Sequence, residues 1–321
     1  MQDDSSTGDL RSLSDDEWLA RLEAIGDDVG YFESLGKNHA ALFRDGGTTL
    51  LVSFETVETI RRSRPEQLPL AYCLADERGW SSLTLIARRN TWYRDFRIYR
   101  FFDRLVDDAF FEDFDRVVFY GAGMAGYAAA AYSVTAPGAT VIAVQPQATL
   151  DPRIAGWDPR WPEMRRTSFT DRYGFAPDMT EGAGEVFVIY DPEQGLDAMH
   201  AALFARPWTH LVVCPNLGRD VGSALEQMRM LPSILTAAAT GAFDEALFRT
   251  FYRVRRNHAP YLRNLMARLD ADGRPYLNLL LCRNVSNRLR IPRFTQRIGE
   301  LESELQEAGE RLPPRPRAPS A

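Results

Sequence analysis

The sequence is poor in residue types that define several protein classes. Its 321 residues include three cysteines, Cys73, Cys214 and Cys282, which lie far apart and form no C-x-x-C pair. An odd number of separated cysteines argues against a disulfide framework and against a zinc site. The four histidines are equally scattered, and metal ligands usually come clustered. We therefore expect no metal site.

Long apolar runs are also missing. No run approaches the roughly 18 residues that a membrane-spanning helix needs. The N-terminal residues 1–6 are acidic, whereas a secretory signal would be basic and then apolar. These absences predict a soluble cytoplasmic protein without a membrane span.

Lysine is nearly absent, because 37 of the 38 basic residues are arginine and only Lys37 is a lysine. We interpret this skew as the coding bias of a GC-rich bacterial genome. The 44 acidic residues give a mild net charge of −6, and the chain is 45% hydrophobic and 11% aromatic. Such a composition is typical of a globular protein and excludes a disordered, collagen-like or coiled-coil chain.

Charge is distributed unevenly along the chain. Residues 1–70 hold 14 acidic and 7 basic side chains, whereas residues 241–300 hold 12 arginines and 5 acidic side chains. Arginines such as Arg249, Arg253 and Arg256 alternate with apolar residues at helical spacing, which indicates the solvent-facing side of amphipathic helices. No zinc-finger, RNA-binding aromatic or helix-turn-helix motif accompanies them, so no nucleic-acid partner is expected.

Six short apolar runs rich in β-branched residues predict buried strands of a mostly parallel sheet. They cover residues 48–54, 82–87, 116–120, 139–145, 185–190 and 210–214. Helical patterns lie between them, at residues 95–113, 124–135, 193–205 and 220–239. Alternating strands and helices predict a three-layer α/β sandwich with a mostly parallel sheet, followed by a C-terminal helical region.

The patterns divide the chain into five parts. Ser14 and the acidic residues after it predict the capped start of a short helix. The C-terminal helical patterns, at residues 243–256, 259–270, 275–285 and 293–309, have the rhythm of a tetratricopeptide-like pair of hairpins. The predicted parts are a disordered start (1–13), an N-terminal helical segment (14–44), an α/β domain (45–240), a helical arm (241–310) and a proline-rich tail (311–321).

The most informative motif joins the strand at residues 116–120 to an alanine-rich helix. Gly121, Gly123 and Gly126 match the G-x-G-x-x-G fingerprint, in which glycines let the backbone approach a dinucleotide pyrophosphate. This fingerprint should be followed by an acidic residue at the end of the next strand. That strand instead ends in Gln145-Pro146-Gln147, which weakens the dinucleotide interpretation.

The same stretch, residues 120–129 (YGAGMAGYAA), resembles the nucleophile elbow of the alpha/beta-hydrolases, G-x-S-x-G. The resemblance extends over about residues 45–235. Residues 141–152 resemble the strand and loop after the elbow, residues 187–192 (FVIYDP) the strand that delivers the acid, and residues 210–222 the strand and loop that deliver the histidine. The order nucleophile, acid, histidine is that of the hydrolases.

The resemblance implies a catalytic triad at Gly123, Asp191 and Arg219, and two of these residues are unsuited to it. Glycine has no nucleophilic side chain, and a guanidinium with a pKa above about 12 cannot act as a base near neutral pH. The triad is therefore degenerate, which predicts a non-catalytic protein that acts in binding or assembly, without a cofactor. The alternatives are an FAD- or NAD-dependent oxidoreductase that uses the glycine turn and a hydrolase with a relocated nucleophile.

Two interpretations of the vacated site follow. The backbone N–H groups of Met124, Ala125 and Gly126 open a helix and, together with Arg219, would bind a small anion such as a carboxylate or phosphate. Alternatively, Arg219 would form an ion pair with Asp191. The partner is accordingly expected to be a small anionic ligand or a protein.

The long loop at residues 146–184 adds a further candidate. Trp157 and Trp161 lie four residues apart with arginines nearby, which predicts either a ligand platform or side chains that attach the loop to the domain.

Strand order distinguishes the two fold families. In the hydrolase fold the elbow strand is central and other strands precede it, whereas a dinucleotide fold begins at the glycine turn. Two predicted strands precede Arg116, and they favour the hydrolase fold.

Overall fold

The computed structural model describes residues 10–313 and divides into two compact units. The first, which we call the α/β unit, contains the residues up to Pro215 together with Arg219–Phe251. The second, the helical unit, contains Asn216–Gly218 and the residues from Tyr252 onward. The predicted domain boundary between residues 240 and 241 therefore lies too early in the chain, because residues up to Phe251 belong to the α/β unit.

Eight strands of the described residues form a single sheet in the α/β unit. In chain order they are β1 (Gly30–Ser34), β2 (His39–Arg44), β3 (Gly47–Thr56), β4 (Trp80–Ala87), β5 (Arg116–Ala122), β6 (Thr140–Val144), β7 (Glu185–Tyr190) and β8 (Thr209–Val213). Their order across the sheet is β1-β2-β4-β3-β5-β6-β7-β8. The strand β2 runs antiparallel to both of its neighbours, and all the other pairs are parallel. The predicted mostly parallel sheet is confirmed.

Helices connect and cover these strands. They are α1 (Asp15–Val29), α2 (Val57–Ser63), α3 (Leu70–Arg78), α4 (Phe96–Asp107), α5 (Met124–Tyr132), α6 (Pro152–Ala155), α7 (Ala176–Met179), α8 (Gly195–Leu203), α9 (Val221–Gln227), α10 (Leu231–Ala239), α11 (Glu245–Phe251), α12 (Ala259–Ala271), α13 (Pro275–Leu289) and α14 (Pro292–Glu307). The predicted helix over residues 220–239 is two helices, because Arg229 adopts a positive φ of 55° between α9 and α10.

The sheet is buried on both faces, as three layers require. Neighbouring residues of β2 and β4 belong to different apolar clusters: Phe43 and Leu85 pack in the cluster that contains α4 and α5, whereas Leu42 and Ile86 pack with α1 and α2. Because successive side chains of a strand point to opposite faces, helices must cover both faces of the sheet. The three-layer α/β sandwich predicted from the sequence is thus the observed fold.

The N-terminal part differs from its prediction. The helix α1 begins with the predicted Ser14 cap, in which the N–H of Glu17 donates to Ser14 Oγ and the N–H of Ser14 donates to Glu17 Oε2. It ends at Val29, and the rest of the predicted helical segment 14–44 forms β1 and β2. Both strands are short, and β2 includes alanine, a weak β-former, so the pairing of β1 with β2 and of β2 with β4 defines them.

The predicted disordered segment, residues 1–13, also extends too far towards the C-terminus. Leu10–Ser12 form a turn of 3-10 helix, and Leu10 is buried. Residues 1–9 lie outside the described residues. So do residues 314–321, which make up most of the predicted proline-rich tail.

The helical unit contains α12, α13 and α14, which pack around an apolar cluster that includes Leu262, Leu279, Phe294 and Leu301. The helical hairpin predicted to begin with residues 243–256 does not form. The stretch 243–256 is split into α11 and a 3-10 helix at Tyr252–Asn257, which the contacts assign to different units. Three consecutive helices, rather than two helical hairpins, therefore form this unit.

Candidate functional site

The turn after the central strand β5 has the backbone geometry of an elbow. Gly123 lies between β5 and α5 with φ 59° and ψ −123°, a conformation that side-chain-bearing residues adopt only with strain. Its N–H donates to Val144 O, and its carbonyl accepts from Tyr127 N–H. A Cβ atom built on Gly123 would meet no atom within 4 Å. The elbow is therefore present and has room for a side chain, although glycine occupies it.

The other two glycines of the motif have a different role. A Cβ atom on Gly121 would overlap the carbonyl of Ala125, and one on Gly126 would lie 2.9 Å from Val144 O. Both glycines are required because the first turn of α5 packs directly against the backbone of β5 and β6. The glycine spacing that matches a dinucleotide fingerprint thus arises from close helix–sheet packing in this chain.

Strand order separates the two fold families considered from the sequence. Four strands precede β5 in the chain, and β5 lies between β3 and β6 in the sheet. In a dinucleotide-binding fold the glycine turn follows the first strand, and later strands flank that strand. The order and the elbow define an alpha/beta-hydrolase-like fold. The dinucleotide-binding alternative is not supported by this topology.

The predicted acid position, Asp191, directly follows β7 and is 1% exposed. Its carboxylate accepts the backbone N–H of Glu193 at 3.0 Å. This position, at the carboxyl end of β7, is where the resemblance places the triad acid.

Arg219 occupies a different environment from the one expected. Its side chain is exposed and forms no ion pair with any residue of the described range 10–313. The expected ion pair between Arg219 and Asp191 is therefore not formed. The reason lies in Gln145, whose side-chain amide donates to Arg219 O at 2.7 Å and accepts from Val221 N–H at 3.0 Å. These bonds fix the loop through its backbone and leave the guanidinium in solvent.

A cleft of about 260 Å³ opens beside the elbow, at the carboxyl ends of β3 and β5. We call it the elbow cleft. Gly123, Met124 and Ala125 line it, whereas Asp191 and Arg219 do not. Its polar lining consists of Glu55, Thr56, Glu58, Thr59, Arg62, Arg64, Asn90, Tyr120, Gln145, Asp220, Ser223 and Glu226. Among the described residues, no histidine or cysteine lines this cleft.

An arginine between two carboxylates forms one wall of the elbow cleft. Arg64 binds Glu55 at 2.9 Å and Glu226 at 3.1 Å, and its side chain is only 11% exposed. Burial opposes the charged guanidinium, but the two carboxylates outweigh burial and raise the pKa of Arg64. Glu55 is also held by the hydroxyl of Ser53 and the N–H of Leu70. This wall is therefore prearranged, and Arg64 remains charged.

Tyr120 supplies a hydroxyl with no protein partner. The residue is 5% exposed and lines the elbow cleft, and its hydroxyl makes no hydrogen bond with the described residues. Burial first, and then the charge of Glu55, raise the pKa of Tyr120 well above its usual value. The hydroxyl consequently remains protonated near neutral pH, so it can donate a hydrogen bond to a molecule in the cleft.

The start of α5 adds backbone donors beside the same cleft, which Met124 and Ala125 line. The first N–H groups of a helix, here those of Met124, Ala125 and Gly126, have no acceptor within the helix. The first hydrogen bond along α5 is donated by Tyr127 N–H to Gly123 O. Thr91 N–H contacts Met124 Sδ at 3.2 Å and so helps to position this turn.

Neither predicted tryptophan lines the elbow cleft. The ring of Trp161 packs edge-on against Trp92 at 5.0 Å, and Trp157 packs against His200 at 4.6 Å. His200 is fully buried, with Ala148 N–H donating to its Nδ1 and Asp158 lying 3.0 Å from its Nε2. These contacts attach the long loop to the α/β unit. Both nitrogens of His200 are thereby occupied.

Sequence reasoning missed Glu55, Arg64, Tyr120 and Glu226. One signal was available for Glu55, which is a carboxylate at the end of the apolar run at residues 48–54. Ligand sites of open α/β sheets form outside the carboxyl ends of the strands, so a charged residue there indicates a site. The other three come from separate elements and meet only in the folded chain.

No protein-family model and no curated protein matches the chain. Among solved structures it is similar to a hyperthermophilic esterase from the archaeon Pyrobaculum calidifontis, with 15% identity over 72% of this chain and 93% of that chain and a TM-score of 0.42. It is similar to MPT51 of Mycobacterium tuberculosis, with 14% identity, coverage of 65% and 96%, and a TM-score of 0.41.

A further likeness is to an S-formylglutathione hydrolase from Agrobacterium tumefaciens, with 12% identity over 65% of this chain and 91% of that chain and a TM-score of 0.43. The strand order and the elbow of this chain define its fold independently of these likenesses. No helix among residues 10–313 is long and apolar enough to cross a membrane.

Proposed function

We propose that the chain is a non-catalytic protein of alpha/beta-hydrolase-like fold that binds a small ligand in the elbow cleft. The observation that carries this proposal is Gly123, which holds the elbow conformation of a nucleophile without a side chain to attack with. The surrounding residues support it, because a hydrolase would also need a base within reach of the nucleophile.

A relocated nucleophile is the alternative within the same cleft. Ser223 lines it, near the start of α9. A serine hydroxyl needs an adjacent base for activation, and none of the histidines in the described range lines the cleft. The tyrosine of the cleft, Tyr120, is held protonated by burial. These groups suit hydrogen bonding better than covalent chemistry.

The arrangement of donors and acceptors indicates the class of ligand. Backbone N–H groups at the positive end of α5 and the hydroxyl of Tyr120 favour one anionic or carbonyl oxygen. The lining also holds four carboxylates against two arginines, and Arg64 already binds two of those carboxylates. This excess of negative charge disfavours a multiply charged anion such as phosphate. We infer a small monocarboxylate whose hydroxyl groups donate to the acidic wall.

Thermal-shift titrations with lactate, glycerate, gluconate and inorganic phosphate test this proposal. We expect saturable stabilisation by at least one hydroxycarboxylate and a weaker effect of phosphate. The variant Tyr120→Phe should weaken binding by about tenfold, since one hydrogen bond to a charged group contributes about 1.5 kcal/mol. Because this hydroxyl has no described protein partner, the stability of the unliganded protein should hardly change.

The matched control is Tyr190→Phe, because Tyr190 lies in β7 outside the cleft lining and its loss should leave the affinity unchanged. The proposal is contradicted if none of the three hydroxycarboxylates stabilises the protein, or if Tyr120→Phe and Tyr190→Phe bind equally well.

A further inference from the structure

The helical unit separates its charges in space. Residues 252–299 contain eleven arginines and only two acidic residues, Asp270 and Asp272. The next acidic residues, from Glu300 to Glu310, all follow within or just after the C-terminal half of α14. Positive and negative side chains are therefore concentrated in different segments.

The fold gathers the acid-free segments at one end of the helical unit. Arg288, at the end of α13, donates to Arg256 O at 2.6 Å and to the side chain of Asn257. The hydroxyls of Ser286 and Thr295 lie 2.6 Å apart and join the end of α13 to the start of α14. We call residues 253–263 and 288–293 the basic end, which holds seven arginines and no acidic residue.

Three arginines outside the basic end are neutralised within the unit. Arg268 pairs with Asp272, and Arg297 pairs with Asp270 and Glu300. Buried Arg283 pairs with Glu302. These three arginines therefore act in the folded unit itself.

The basic end lacks such internal neutralisation. Five of its arginines are exposed and form no ion pair with any residue in the described part of the chain. They are Arg253, Arg256, Arg263, Arg290 and Arg293. Like charges held close together repel one another. Since no described carboxylate of the unit neutralises these arginines, an anionic partner would be attracted to them.

We propose that the basic end is a docking surface for an acidic segment of another protein. The arginine guanidinium presents paired donors that match a carboxylate in a bidentate geometry. Aspartate and glutamate side chains in a short extended segment would reach several of these arginines at once. Such contacts would set the orientation and the rate of association.

A nucleic acid fits this surface less well. Binding of single strands relies on exposed aromatic rings for base stacking. Tyr252, which directly precedes the basic end, is buried, and Arg255 stacks on both Tyr252 and Tyr261, at 4.4 and 5.6 Å.

Fluorescence anisotropy with the full chain tests the proposal. The probes are labelled poly-glutamate and labelled single-stranded DNA, each of about 20 units and nearly equal charge. We expect saturable binding of poly-glutamate at low salt that weakens towards about 0.15 M salt. Changing Arg253, Arg256, Arg290 and Arg293 together to glutamine should weaken it by about tenfold or more.

The control replaces four exposed arginines outside the basic end, Arg165, Arg166, Arg274 and Arg311, with glutamine. It removes the same charge and should bind within about twofold of the wild type. Circular dichroism confirms that both variants fold. The proposal is overturned if poly-glutamate does not bind, if both quadruple variants lose equal affinity, or if DNA binds more tightly than poly-glutamate, which would indicate a nucleic-acid surface.

Discussion

Replacing Arg64 with methionine is expected to lower the free energy of unfolding by about 3 to 5 kcal/mol. Arg64 is the cation between Glu55 and Glu226, and Glu55 is 4% exposed. Methionine retains most of the volume and removes the charge, which leaves a buried carboxylate without its counterion. Removing one partner of a buried ion pair costs more than the pair contributes, because the remaining charge cannot reach water.

The neighbouring Arg62 provides the control. It pairs with Glu58 one helical turn away, and both side chains are more than half exposed. Exposed pairs of this kind contribute about 0.3 to 0.5 kcal/mol, so Arg62→Met should barely change the urea midpoint. Equal effects of the two variants would show that the burial of Glu55 does not depend on its ion pair with Arg64.

The variant Gly121→Ala is expected to destabilise the protein by about 3 kcal/mol, the upper part of the range for overpacking. Its Cβ atom would overlap the carbonyl of Ala125, which belongs to the backbone and cannot rotate away. The first turn of α5 would have to move off the sheet. Urea denaturation of the variant measures this loss.

Gly123→Ala is the matched comparison at the elbow. A Cβ atom there meets no neighbour within 4 Å, so only the positive φ of 59° opposes it. That strain costs about 1 kcal/mol. If Gly123→Ala were the more damaging of the two, the assignment of Gly121 to packing and Gly123 to the elbow conformation would be wrong.

The sheet was predictable because its strands are continuous apolar runs. All six predicted strands occur, and each overlaps its predicted range closely. β1 and β2 escaped prediction because their sequences, GYFES and HAALFR, have neither a clear alternation nor many β-branched residues. The conformation of β2 depends on pairing with β4, which is distant in sequence, and that of β1 depends on pairing with β2.

The candidate site was predictable only in part, for a related reason. The glycine turn is local, so its sequence spacing identifies the elbow. The position of Arg219 depends on Gln145, which lies 74 residues earlier and holds the loop by its backbone. The Glu55–Arg64–Glu226 wall likewise joins residues 162 positions apart. Neither arrangement has a local signal.

The proposed absence of hydrolysis is tested most directly by ester turnover and active-site labelling. We expect the purified wild type neither to hydrolyse p-nitrophenyl acetate above the rate of heat-denatured protein nor to react with a fluorophosphonate. Gly123→Ser should remain inactive, because no described histidine lines the cleft to activate the new hydroxyl. Wild-type turnover that disappears in Ser223→Ala would contradict the account and identify a relocated nucleophile.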